Sequence, residues 1–66
     1  MSKFAFIFDD DEQVGDVTFF EDGRATVMNY WAGLQQWFDN PETGHADARR
    51  YIKSRMAANP QLVEIR

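Results

Sequence analysis

Apolar side chains alternate from the third residue onward. Positions 3–8 read KFAFIF, with Phe4, Phe6 and Phe8 on one side and Ala5 and Ile7 on the other. A period of two is strand geometry, and a strand apolar on both faces belongs inside a sheet. It ends at Asp9, Asp10, Asp11 and Glu12, adjacent carboxylates that repel one another in a regular element and need water. A second strand is expected over about 14–20 (VGDVTFF) and a third over about 24–28, joined at Asp22-Gly23, residues that tolerate positive φ in a hairpin turn. The turn admits two residues or a bulged three, and the choice sets which faces Phe19 and Phe20 occupy. Over 29–38 the spacing turns helical: Tyr30, Trp31, Leu34, Trp37 and Phe38 fall on about a third of a helix circumference, with Asn29 as N-cap. Asn40-Pro41 stops that helix. A second begins near Pro41 or after Gly44 and runs to about 58, with Ala48, Tyr51, Ile52 and Met56 as its stripe. Residues 61–65 suit a last strand beside the first.

The expected architecture is therefore α+β, a small antiparallel-rich sheet in the order β-β-β-α-α-β with two helices packed on it. The aromatic face of the first helix is read as core. Helices on one face leave the other open, and Phe4, Phe6, Phe8, Phe19 and Phe20 cannot all lie on the covered side. Some aromatic surface should remain exposed, as at interfaces.

Composition narrows the picture. The 66 residues allow one domain, 1–66, whose core is small. There is no cysteine, which excludes a disulfide and a thiolate zinc site, and the stabilising material is six Phe, two Trp and two Tyr. The chain has neither an apolar run of membrane length nor a signal-peptide pattern at its start, so a cytoplasmic protein, monomeric or weakly dimeric, is expected. The net charge of −4 is unevenly spread. Residues 1–23 hold seven acids against Lys3; residues 45–66 hold Asp47 and Glu64 against Arg49, Arg50, Lys53, Arg55 and Arg66.

Candidate chemistry centres on Asp9, Asp10, Asp11 and Glu12, continued by Asp16, Glu21 and Asp22. A calcium loop needs alternating ligands, a glycine turn and a distal Glu, and FDDDEQVGD lacks that spacing, so no metal or other cofactor is expected. A solvated turn that guards an aromatic strand accounts for the run alone. A protein-binding acidic face accounts also for its continuation along the hairpin, because strands rise ~3.3 Å per residue, close to the ~3.4 Å between phosphates of one DNA strand. These seven acids are the expected partner-binding residues. His45 has no partner for catalysis by sequence, and no enzyme is expected. Arg49, Arg50 and Lys53 share a helix side and could meet phosphates, but a chain of net −4 repels nucleic acid at long range. No direct nucleic-acid contact is expected.

In size, lack of cysteine and the acidic half DDDE…D…ED, the chain resembles the small acidic phage-encoded anti-CRISPR proteins, specifically inhibitors of type I-C systems. The resemblance implies a non-catalytic inhibitor in the cytoplasm of a bacterial host. It would bind a basic DNA-binding surface of the Cascade surveillance complex through an acidic face and block target DNA. A protein-interaction or oligomerisation module using exposed sheet aromatics is the alternative.

Overall fold

A computed structural model describes residues 1–65; Arg66, counted above among the C-terminal bases, lies outside the described residues. The elements are β1 (Lys3–Asp9), β2 (Glu12–Phe19), β3 (Ala25–Asn29), β4 (Leu34–Phe38), α1 (Gly44–Arg55) and β5 (Pro60–Glu64). The strands form one antiparallel sheet in the order β4-β3-β2-β1-β5. The α+β class holds, β1 is internal, and the tail strand lies beside it as expected.

One of the two expected helices is instead a hairpin. Residues 29–38 form the end of β3, a loop and β4, so the described order is β-β-β-β-α-β. Asn29 pairs with Leu34, and the four-residue loop between them closes through Gly33 at φ 60°. The Asn29 side chain accepts a bond from the Ala32 amide at 3.4 Å, so it organises a turn where an N-cap was expected. The aromatic stripe read as core is consequently not core. Tyr30, Trp31, Leu34 and Trp37 are exposed, and only Phe38 packs against the core, beside Tyr51.

The core lies between one sheet face and α1. Ala5, Ile7, Val17, Phe19, Ala25 and Val27 project from β1–β3 onto Ala48 and Ile52. The helix begins after Thr43, whose hydroxyl donates to Asp47 at 2.8 Å. It ends at Arg55, where the Met56 and Ala57 amides both bond the Ile52 carbonyl.

Two local features orient the site residues. In β2, Ile7 pairs with Gly15 but Phe8 with Gln13, leaving Val14 as the extra residue of a β-bulge. Val14 and Gly15 both face the helix side: Val14 is in the core, and a Cβ on Gly15 would lie 2.1 Å from the Met28 carbonyl oxygen and 2.4 Å from Met56 Cε. Gln13 and Asp16 therefore share the opposite face. At the β2–β3 turn the bulged three-residue alternative holds: Phe20 N–H donates to the Arg24 carbonyl at 2.9 Å, and Gly23 takes φ 98°. This puts Phe19 in the core and Phe20 on the open face.

Candidate interaction surface

The sheet face away from α1 is uncovered. Phe4, Phe6 and Phe8 of β1 lie on it in register with Thr18, Asp16 and Gln13 of β2; Thr26 and Met28 of β3 and Gln35 and Trp37 of β4 complete it. Phe4 and Phe6 meet edge to face at 5.4 Å between centroids, and Phe20 stacks parallel to Trp37 at 6.0 Å. The expectation that some aromatic surface stays open is met, since Phe4 and Trp37 are exposed and Val63 and Ile65 extend the apolar strip at the β5 side.

Asp16 sits in the middle of this face. Tyr30 donates its hydroxyl to Asp16 Oδ2 at 2.7 Å and accepts from Gln13 Nε2 at 3.1 Å. Burial of the hydroxyl raises the Tyr30 pKa above the ordinary phenol value, and the Asp16 bond and charge add to this, against the opposing Gln13 donor.

The seven acids fall into three groups. Asp9, Asp10, Asp11 and Glu12 form the β1–β2 turn, all exposed, with Asp10 at φ 54°. Among the described residues none of the four has an ion-pair partner. Asp16 is half-buried on the open face. Glu21 and Asp22 lie at the opposite end of β2 and are compensated: Glu21 by the N-terminal ammonium, Asp22 by Arg24 at 2.8 Å. Hydrogen bonds and charge from Arg24, led by its backbone N–H, hold the Asp22 carboxyl below the ordinary carboxylate range. The eight-residue length of β2 thus separates the two acidic turns, roughly 23 Å at the usual strand rise.

The basic helix residues are partly occupied within the chain. Arg49 lies over the Phe19 ring at 4.4 Å, and Arg50 pairs with Asp47 at 3.0 Å. Arg49 and Lys53 line a groove of about 1010 Å³ whose far wall includes Asp10 and Asp11, so the helix-side flank of the acidic turn faces bases. His45, which the sequence gives no catalytic partner, is half-buried. Its Nε2 donates to the Phe20 carbonyl at 2.8 Å, and its ring meets Phe19 edge to face. A carbonyl oxygen only accepts, so Nε2 carries a proton. Among the described residues no three acidic or histidine side chains converge to hold a metal ion, and no helix is long and apolar enough to cross a membrane.

The residues that sequence reasoning missed are Tyr30 and Trp31. The β3–β4 loop leaves the same end of the sheet as the acidic turn, about 10 Å away across two strand spacings, and carries Trp31 78% exposed. The signal available was Gly33, which follows these aromatics as a loop glycine. No protein-family model, curated protein or solved structure matches this chain.

Proposed function

We propose that this chain is a non-catalytic binding protein that occupies a basic, arginine-bearing surface on another protein. The observation that carries the reading is the end of the sheet where four exposed carboxylates, without ion pairs among the described residues, lie at the same end as an exposed tryptophan. Planar guanidinium groups pair with carboxylates and also stack on aromatic faces, so an arginine-rich surface complements both features. Tryptophan is enriched among the residues that dominate binding energy. Surfaces of this kind hold nucleic acid, and occupying one makes the chain a competitive inhibitor. The resemblance to anti-CRISPR proteins supplies the specific form of the reading: a Cascade subunit as partner and exclusion of target DNA as the effect. Asp9, Asp10, Asp11, Glu12 and Asp16 contribute most in this reading. Glu21 and Asp22, already paired within the chain, contribute least.

The test changes Asp9, Asp10 and Asp11 to Asn and Glu12 to Gln together, with Trp31→Ala as a second variant and Glu21→Gln/Asp22→Asn as a third. Inhibition of Cascade–DNA binding is expected to fall at least tenfold for the first two and little for the third, with unchanged circular dichroism. Full inhibition by the quadruple variant would end the DNA-competition reading. The uncovered aromatic face of the sheet favours the second reading, an interaction module, which would then lead.

A further inference from the structure

The two edges of the sheet are unlike each other. The β5 edge opens with Pro60 and carries the charged Glu64, which faces Ala5 and reaches Lys3 diagonally at 4.0 Å, devices that blunt an edge against pairing. The β4 edge, Leu34–Phe38, has no proline, no charge and an uninterrupted register with β3. Its outward backbone groups follow from the ladder. Phe20 donates to the Arg24 carbonyl, and hydrogen-bonded and non-bonded pairs alternate along an antiparallel ladder. Thr26 and Met28 therefore bond towards β2, while Ala25, Val27 and Asn29 bond towards β4 through their partners Phe38, Gln36 and Leu34. This leaves the N–H and C=O of Gln35 and Trp37 pointing away from the sheet.

We propose that the chain self-associates through β4, two copies pairing antiparallel about a two-fold axis at Gln36. This proposal does not rest on the inhibitor reading. In that register Gln35 of each copy faces Trp37 of the other, and all four outward groups of each copy find a partner. On the helix side Leu34 meets Phe38, apolar against apolar, and Gln36 meets its own copy. Shifting the two-fold axis by one residue in either direction leaves Leu34 or Phe38 facing a glutamine. Charge does not oppose the contact. β4 is neutral, Asp39 falls opposite Gly33, and the acidic turns of the two copies lie at opposite ends of the joined sheet, six strand spacings or roughly 29 Å apart laterally, more than two Debye lengths at physiological salt. Five residues make a small contact, so the dimer is expected to be weak and concentration-dependent.

The test is sedimentation velocity over a concentration series up to about millimolar, paired with amide hydrogen exchange. A reversible monomer–dimer equilibrium is expected, with the Gln35 and Trp37 amides gaining protection as concentration rises while the Gln36 amide, bonded to β3, is protected throughout. Gln35→Pro removes an outward donor and no bond to β3, and should abolish the dimer with the fold retained. Gln36→Lys and Gln36→Glu place like charges opposite each other across the axis. Each should be monomeric alone, and an equimolar mixture should restore the dimer, which also reports on the register if the proline variant fails to fold. A wild-type chain monomeric throughout the series, or a dimer indifferent to the charge at position 36, would overturn the proposal.

Discussion

At the residue scale, the open face is organised by one hydroxyl. Tyr30 joins Gln13 and Asp16 only because the bulge at Val14 turns both β2 side chains to the same side. The fold favours the protonated phenol, so its folded-state pKa lies above the unfolded one. Its contribution to stability is fully present below the ordinary value near 10 and is lost as pH rises through the folded value. The difference in tyrosinate absorbance between wild type and Tyr30→Phe should therefore titrate above about 10, and Asp16→Asn should move that midpoint back down. A midpoint at or below the free-tyrosine value would contradict the hydrogen-bond assignment. Beside the bulge the chain passes close to β3 at Gly15, where an added methyl meets a backbone carbonyl that cannot rotate away. Gly15→Ala should cost about 1–3 kcal/mol in chemical denaturation, whereas Gly33→Ala, with open space around its Cβ, should report only the strain of positive φ.

At the element scale, α1 is the sole lid on the core among the described residues, and it covers mainly the β3–β4 side of the sheet. Its contact rests on Ala48 and Ile52, both essentially fully buried. Truncating a buried Ile to Ala typically costs about 2–5 kcal/mol. Small domains carry only ~0.05–0.15 kcal/mol of stability per residue, so Ile52→Ala should remove much of the total for a chain this short. Thermal denaturation should show a large fall in midpoint, while the exposed helix change Arg55→Ala should leave it nearly unmoved. Equal midpoints for the two variants would mean that α1 is not the cover described above.

At the scale of the whole molecule, charge and apolar surface are sorted to different places. Asp9, Asp10, Asp11 and Glu12, without ion pairs among the described residues, lie at one end of the sheet, Phe4, Phe6, Phe8, Phe20 and Trp37 spread over the open face, and the neutral edge is β4. Single exposed ion pairs contribute only ~0–1 kcal/mol each, which is why the proposed acidic contact is tested with four substitutions together. The same contact should weaken steeply as salt rises, because the Debye length contracts from ~10 Å at 0.1 M to ~3 Å at 1 M. Edge pairing through β4 should respond little to salt, since backbone hydrogen bonds and apolar contacts carry it. Salt dependence thus separates the two proposed associations within one protein.

Much of the β-meander was legible before any coordinates. Alternation in KFAFIF is meaningful because a strand has a strict period of two, and Asp22-Gly23 names a turn because few residue pairs accept its backbone angles. A helix starting near Pro41 or after Gly44 and a tail strand beside β1 followed from the same local rules, and the structure begins the helix at Gly44 and ends it at Arg55, short of the expected 58. Residues 30–38 were misread because Tyr30, Trp31, Leu34, Trp37 and Phe38 satisfy a helical spacing by accident, two in a loop and three in a strand. Local periodicity cannot separate these alternatives when a long-range partner, here β3, offers an unpaired ladder. The grouping of the acids was likewise beyond the sequence. Compensation of Glu21 by the N-terminus joins residues twenty positions apart, and the bulge at Val14 decides that Asp16 faces Tyr30. Composition and pattern determined what the chain could build; non-local pairing and register decided which side chains it presents, because only the assembled sheet sets where each face points.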